Sequence, residues 1–451
     1  MNRKLLKSHF KLKKLKELSK KSVTYNSAIG RDNMTFHRFK EIEDNVLLKI
    51  RENVLNETYD FITYKEKLIV KNRNEIPRCI SIPTLADKIC LKALNETLKN
   101  YYPEYQRTKL PQEWIKKIKE ELPKDNKEFF LKIDIKNFFG DINHTLLLNK
   151  LKKKIKDSKT ISLIKKAIEN PTHPYKEKNN KGLPQGIAIS NILSNIYLKT
   201  LDEYYNKNED ITYIRYVDDL LILCSSQTEA EILKNEIEVK LKKEFYLDIN
   251  KKKGKIGNVY NENFNFLGYQ IGNTSNLKNE IRIVMNERSI NKIENKIMNI
   301  ITIFKRDKKY SIEKMIFNLN LLITGCLLQR PNIDNKQYDR YGWLFHYLQI
   351  TDITVLYHLD NLVKSKVEKI TDNIKINKVK KFSKAYFEMK YNLRQSNYIF
   401  KPDEMNKEDK RSILKQFYNL DPDEENIDKT FKKIIFNQIK NYEKDIISHI
   451  S

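Results

Sequence analysis

Thr212-Tyr213-Ile214-Arg215-Tyr216-Val217-Asp218-Asp219-Leu220-Leu221-Ile222-Leu223 is the stretch on which the reading of the fold turns. Two runs rich in β-branched, aromatic and aliphatic residues flank a short break, which predicts a hairpin with two acids near its turn. Upstream, Phe129-Phe130-Leu131-Lys132-Ile133-Asp134-Ile135 is short and mostly apolar, a strand with a third acid near its end. Carboxylates so placed are costly to bury unless a cation neutralises them. Spacing alone leaves the plain alternative open: an Asp near a strand end is usually a solvated turn residue, and an Asp-Asp pair in a β-turn is ordinary.

Working outward, residues 36–60 and 85–122 place apolar residues at three-to-four spacing and predict helices. Ile80-Ser81-Ile82-Pro83-Thr84 breaks the pattern between them. Helix is predicted again over 145–169 and 227–244, then short strands to about 285, and mostly helix beyond. The order is helix-rich, then mixed α+β, then helical. No fixed-period repeat occurs, and 10 glycines and 11 prolines in 451 residues leave no flexible linker between modules.

A length of 451 residues suggests about three compact units at roughly 150 residues each. With 40% hydrophobic residues a buried core is available, which excludes global disorder. Lys and Arg number 86 against 59 acids, a net charge of +27. A surplus of that size repels itself unless a polyanion neutralises it, and nucleic acid is the first candidate. A surface of solvated lysines is the competing explanation. Cys79, Cys90, Cys224 and Cys326 lie far apart without CxxC spacing, so neither a disulfide framework nor a zinc site is expected, and a reducing cytoplasm fits. No apolar run approaches the ~20 residues that span a bilayer, so no membrane partner is expected. The basic start, Arg3 to Lys21 with Leu5, Leu6, Phe10, Leu12, Leu15 and Leu18, reads as an amphipathic helix on its own domain or on RNA, not as a signal peptide.

Five segments then occur in a telling order. They are Arg78-Cys79-Ile80-Ser81-Ile82-Pro83-Thr84 with Asp87-Lys88, Ile133-Asp134-Ile135-Lys136-Asn137-Phe138-Phe139, Gly182-Leu183-Pro184-Gln185-Gly186, Tyr216-Val217-Asp218-Asp219 and Phe266-Leu267-Gly268-Tyr269. Each is weak alone; together they resemble reverse transcriptases, and the first resembles the fingers motif of the bacterial, group II intron-like branch. The resemblance covers about 70–360. It implies that Asp134, Asp218 and Asp219 bind two Mg²⁺ ions, joined by the backbone carbonyl of Ile135. Such a pair, roughly 3.5–4 Å apart, would activate a primer 3′-hydroxyl and stabilise the leaving pyrophosphate.

The same resemblance makes Phe139 a steric gate, a ring under the sugar that leaves no room for a 2′-hydroxyl, so the substrates would be dNTPs. Gln185 would lie against incoming nucleotide and template, with Gly186 letting backbone approach without a Cβ. Arg78, with Lys71 or Arg73, would grip the triphosphate; the sequence does not choose between those two. Lys253, in Asn250-Lys251-Lys252-Lys253, fits the lysine that protonates leaving pyrophosphate, and a solvated lysine run is an equal reading. Phe266-Leu267-Gly268-Tyr269 resembles the hairpin that supports the primer end.

In the last third, Tyr341-Gly342-Trp343-Leu344-Phe345-His346-Tyr347 resembles part of the family's thumb, with Trp343 and Phe345 read as thumb core in preference to stacking platforms. His346 and His358 read as packed or solvated, not as ligands. Cations and aromatics interleave over Val379–Phe387 and from Tyr391 to Tyr398. That suits single-stranded RNA, and equally a helical cap over the thumb.

The expected architecture is an α+β right-hand polymerase. Residues 1–60 form a basic helical N-terminal extension, 61–128 the fingers, 129–284 a palm with an antiparallel sheet and fingers helices at about 145–180, 285–365 a helical thumb, and 366–451 a helical C-terminal extension. With no integrase, RNase H or Cys/His nuclease pattern, the chain looks like the bacterial defence-associated reverse transcriptases, the so-called unknown groups. That implies an RNA-directed DNA polymerase in antiphage defence, with a partner non-coding RNA as template or scaffold and a DNA product held as RNA–DNA duplex. Protein-primed or untemplated synthesis of the abortive-infection type stays open. So do a retron- or intron-type enzyme and a maturase-like RNA-binding protein. The sequence leaves homo-oligomer formation undecided.

Overall fold

Strand β5 (Asp219–Cys224) is buried at every position from Leu220 to Cys224, so both faces of its sheet are covered there. The computed structural model containing it describes residues 3–70, 77–106, 109–122, 127–273, 281–329, 338–370 and 376–447. The chain forms two compact units, Met1–Lys109 with Asn126–Ile256, and Leu110–Asp125 with Gly257–Ile450.

In the first unit, β1 (Lys65–Ile69) and β2 (Arg78–Ile82) pair as an antiparallel ladder. β3 (Phe129–Asp134) and β4 (Thr212–Tyr216) flank β5 antiparallel on either side, and β6 (Lys255–Asn258) lies beyond β3, giving the order β4-β5-β3-β6. The helix Gln227–Phe245 packs on β3 and β5, and the helix Ser190–Tyr205 on β4. Ser226 caps the former by accepting from the Glu229 amide, and Tyr246 ends it in a left-handed conformation.

The helix Leu85–Tyr101 lies at the centre of the unit's helical part. Its first turn is fixed by Thr84, whose hydroxyl accepts from the Asp87 amide at 3.1 Å. Leu85, Ile89, Cys90, Leu91, Ala93, Leu94 and Leu98 are buried around most of its circumference. The basic helices Arg3–His9 and Leu12–Ser22 lie on it through Leu6, Phe10 and Leu15, so the amphipathic N-terminus covers its own domain. The Asp87 carboxylate is buried as well, accepting from Tyr59 Oη at 2.8 Å, Thr84 Oγ1 at 2.8 Å and the Ile62 amide at 3.2 Å.

Three long predicted helices are interrupted. Residues 85–122 divide at Tyr102: Pro103 opens a single 3₁₀ turn, and Pro111 stands at the start of a new helix, Pro111–Glu121, in the second unit. Residues 145–169 divide into His144–Lys154 and Ser158–Glu169, with extended Ile155 buried between them. Residues 36–60 divide at Ile42 and end at Leu55. Apolar spacing alone marks the buried side of each helix and does not register these breaks.

In the second unit, β7 (Asn263–Phe266), β8 (Tyr269–Gly272) and β9 (Arg282–Met285) form an antiparallel meander. The helix Glu287–Arg306 buries Ile293, Ile297, Ile300 and Ile301 along one stripe. Beyond 285 the chain is mostly helical but also holds a strand pair, β10 (Cys326–Gln329) with β11 (Tyr338–Tyr341). Gly325 makes that exit from the helix Ile312–Thr324 feasible: its φ is +55°, and a Cβ there would stand 2.1 Å from the Tyr341 carbonyl oxygen. Trp343 and Phe345 are core residues. The helices Lys407–Tyr418 and Ile427–Ile447 close over Leu321 and Cys326 with Leu414, Phe431, Ile435 and Ile439. His358 pairs with Glu294 at 2.8 Å, and His346 lies 3.9 Å from Glu443. No helix among the described residues is long and apolar enough to cross a membrane.

A buried acid and a buried guanidinium generate predictions. Burial pushes the Asp87 carboxyl up to about 6, against the lowering effect of its hydrogen bonds. The folded state therefore holds the proton more tightly than the unfolded chain, and this contribution is present at low pH and lost as pH rises through about 6. Urea unfolding from pH 4 to 7 should show the wild type losing up to roughly 3 kcal/mol relative to Asp87→Asn. Separately, Arg215 on β4 is buried and donates to Asp202 through Nε at 2.7 Å and Nη2 at 2.5 Å. Arg215→Ala leaves that carboxylate without its charged partner and should cost about 3–5 kcal/mol in the same assay.

Candidate active site

Antiparallel pairing of β3 with β5 puts Asp134 directly opposite Asp219. Cα atoms so paired stand roughly 4.5–5.5 Å apart, close enough for two carboxylates to repel or to share one cation. Asp218 sits in the two-residue turn between Tyr216 and Asp219, which are themselves paired. Its carbonyl accepts from the Ile135 amide at 3.0 Å, which ties the turn to the end of β3. Burial first, then the charges of Asp218 and Asp134, push the Asp219 carboxyl up to about 6, opposed by Lys132 and Lys253.

Val217, the first turn residue, has φ +59°. A β-branched residue rarely enters that region, so the surrounding structure must hold it there. Arg215 does so from one side: its Nη1 donates to the Val217 carbonyl at 2.9 Å while the guanidinium stays locked on Asp202. Ile135 holds the other side through Asp218. The acids at the tip are thus fixed by a buried ion pair two residues away and by a neighbouring strand.

Beyond Asp134 the chain runs beside Asp248–Asn250, with Ile135 bridged to Ile249. Asn250 bonds Asp134 twice, its amide to the carbonyl at 2.7 Å and its Nδ2 to Oδ2 at 3.1 Å. Lys253 Nζ lies 3.6 Å from the same Oδ2 on a side chain that is 61% exposed. Lys132, two residues before Asp134, shares its face of β3. Among the described residues, no group of three or more His, Cys, Asp or Glu side chains converges closely enough to hold a metal as it stands. The donor chemistry still fits one. Asp134, Asp218 and Asp219 offer hard oxygens, and a carboxyl raised by burial and then by like-charged neighbours is what a divalent cation relieves.

A second group of predicted residues forms around Phe139. Asn137, at φ +44°, turns the chain into the short helix Phe138–Asp141, where Phe139 is half-buried with its ring 5.5 Å from that of Phe138. The Leu183 amide donates to the Phe139 carbonyl at 2.7 Å, and Gly182 passes so near Gly140 that a Cβ would stand 2.7 Å from its carbonyl oxygen. The Gln185 carbonyl accepts from the Ser81 amide of β2 at 2.7 Å. Gly186, at φ +103°, lies where a Cβ would meet Ile80 at 2.7 Å. Close backbone approach at Gly186 is therefore to β2 of this chain. Half-buried Arg78 starts β2, so Arg78, Gln185 and Phe139 share one framework of backbone bonds. Lys71 and Arg73 lie outside the described residues.

Phe266-Leu267-Gly268-Tyr269 forms the β7–β8 turn, with Leu267 at φ +49° and Gly268 at +86°. In its own unit, Tyr269 Oη donates to the His346 carbonyl.

Sequence reasoning missed Asp202, Lys132 and the structural part of Arg215, and it did not give Asn250 its part. An Arg inside an apolar strand was the available signal, because a buried guanidinium requires a carboxylate partner.

Residues 69–271 match the family model of the reverse transcriptase (RNA-dependent DNA polymerase). The chain is 22% identical to protein YkfC of Escherichia coli K12 over 281 residues, 52% of this chain and 73% of that protein. It is 31% identical to the group II intron-encoded protein LtrA of Lactococcus lactis over 169 residues, 35% of this chain and 27% of that protein. Among solved structures, apo telomerase from Candida tropicalis aligns with a TM-score of 0.44 at 13% identity, covering 92% of this chain and 73% of that one. Residues 69–271 are thus similar to the reverse transcriptases, the RNA-dependent DNA polymerases, and part of the chain is similar to a group II intron-encoded protein.

Proposed function

We propose that this chain copies RNA into DNA from dNTPs, with Mg²⁺ bound by Asp134, Asp218, Asp219 and the Ile135 carbonyl, and that it serves antiphage defence with a partner non-coding RNA as template or scaffold. The observation that carries the chemical part is Asp134 in register with Asp219, beside a turn that presents Asp218. Two bound Mg²⁺ ions would supply activation of the primer hydroxyl and charge stabilisation at the leaving pyrophosphate. The protein's own part is to hold the carboxylates before substrate arrives. Arg215 and Ile135 fix the turn, and Asn250 orients Asp134. Lys253, exposed and 3.6 Å from Asp134, would meet a polyphosphate and give a proton to pyrophosphate. Phe139, held through its carbonyl by Leu183, acts as a wall against a ribose 2′-hydroxyl. Arg78, with Lys71 or Arg73, grips the triphosphate. The defence role rests on the resemblance to the unknown-group enzymes; RNA as partner rests also on the charge of +27.

Asp134→Ala should reduce dNTP incorporation on an RNA template with a DNA primer by on the order of 10²–10³-fold or more, with the chain still folded by circular dichroism. Incorporation at the wild-type rate would remove the catalytic reading. Phage plaquing on cells carrying the native locus, compared with Asp218→Ala/Asp219→Ala, tests the defence role: equal plaquing on both would remove it. Replacing Phe139 with Ala should raise rNTP use relative to dNTP by about 10- to 100-fold, the scale of opening an apolar pocket. Single-nucleotide incorporation kinetics with the two substrates measure that ratio.

A further inference from the structure

The second unit contains a groove of about 850 Å³, formed by the helices Pro111–Glu121, Thr354–Glu368 and Phe382–Tyr391 and by the loop around Ile350. Three of its aromatic side chains are not used to build the core. Tyr357 is 54% exposed, Phe387 54% and Tyr391 61%. Phe387 and Tyr391 stand one turn apart on the same helix, their rings 5.0 Å apart and inclined at 50°. That helix is anchored by its other face, where Phe382, Ala385, Tyr386 and Met389 are buried. The outward aromatics are therefore surplus to its packing, and large rings left in water on one surface mark a binding site more often than a structural one.

Cations are interleaved with the rings. Lys119, Lys384 and Lys390 line the groove, with Glu388 the acid among its lining residues. Lys390 Nζ lies 5.5 Å from the Tyr391 ring and donates to Tyr386 Oη at 2.7 Å. Burial and the nearby charge of Lys390 both lower the Lys119 pKa. Two ammonium groups near each other in a groove lined by exposed rings attract a ligand that brings repeating negative charge and flat faces. Single-stranded nucleic acid has both, since its bases stack on aromatics while its phosphates meet the lysines. Duplex fits poorly, because its base faces are already stacked.

We propose that this groove binds a single-stranded segment of RNA, independently of catalysis. The RNA identity of the ligand rests on the function proposed above, whereas the groove and its chemistry do not. Tyr357, Phe387 and Tyr391 stack bases, and Lys119, Lys384 and Lys390 meet phosphates. An RNA held there is tethered by a stretch that is not being copied, which distinguishes a retained partner RNA from a passing template.

The test uses the full chain carrying Asp134→Ala, so that no synthesis intervenes, and a fluorescein-labelled oligouridylate of about 12 nucleotides. Tyr357→Ala/Phe387→Ala/Tyr391→Ala should weaken its binding at least about tenfold by anisotropy, given the usual worth of a stacked base. A 4-thiouridine version should crosslink to Tyr357, Phe387 or Tyr391. In a chain with Asp134 intact, the triple variant should extend a supplied primer–template at the wild-type rate, which separates loss of the groove from loss of the polymerase. Unchanged affinity with crosslinks elsewhere would overturn the proposal, as would equal weakening by the variant of a blunt RNA duplex. Binding of a protein in the groove with no effect on oligouridylate would overturn it too. Lys384→Gln/Lys390→Gln, which leaves the rings in place, should reduce the dependence of binding on salt; an unaltered salt slope would contradict the phosphate contacts.

Discussion

Two aspartates stand opposite each other on adjacent strands, and the site depends on that repulsion being held in place. Strand register brings the backbones of Asp134 and Asp219 together with no freedom to separate, because a one-residue slip would turn every buried side chain of β3 and β5 to the wrong face. Burial then keeps water from screening the pair, and Asp219 answers by holding its proton up to about 6. The chain offsets part of this with Lys132, Lys253 and the Asn250 amide, none of which saturates both carboxylates. A site left short of positive charge in this way attracts cations. The apolar strands pay for it: Leu220 to Cys224, buried on both faces, supply the rigidity that keeps like charges adjacent.

The turn that carries Asp218 follows the same logic one level further out. A left-handed Val217 is costly, and it persists because the Arg215 guanidinium is fully engaged, bonded to Asp202 on a separate helix and to the Val217 carbonyl. The sequence showed the hairpin, its acids and the apolar third strand, since alternation and turn chemistry are local. It did not show that the arginine in the middle of β4 is the brace, because its partner lies on the helix Ser190–Tyr205 and the pairing is set by packing.

Elsewhere the limits of legibility have equally definite causes. Apolar periodicity reports which side of a segment is buried and says nothing about whether its backbone is continuous, so residues 85–122 read as one helix although Pro103 and Pro111 divide them. The β10–β11 pair escaped notice because its strands are four residues long and depend on a close backbone passage at Gly325. The closeness of Gly186 to β2 and the backbone bond between Ser81 and Gln185 were not legible, because they join segments about a hundred residues apart. Interleaved cations and aromatics after residue 378 admitted two readings, a cap and an RNA surface. In the helix Phe382–Tyr391, Phe382 and Tyr386 are buried while Phe387 and Tyr391 are turned outward, a division between faces that composition does not reveal.

Charge ties these local arguments to the whole chain. Many lysines lie in exposed pairs within a turn of helix, such as Lys14 with Glu17 and Lys116 with Glu120, and pairs of that kind contribute little in water. They leave the surplus of +27 almost uncompensated at long range. A protein that bears such a surplus is less stable alone than when a polyanion screens it, so a bound polyanion should stabilise the fold by mass action on the folded state. Exposed rings such as Phe387 and Tyr391 give the polyanion a reason to stay in one place, since charge attracts any nucleic acid and stacking requires unpaired bases. Charge would then set how fast RNA arrives, and the aromatic groove which part of it is retained.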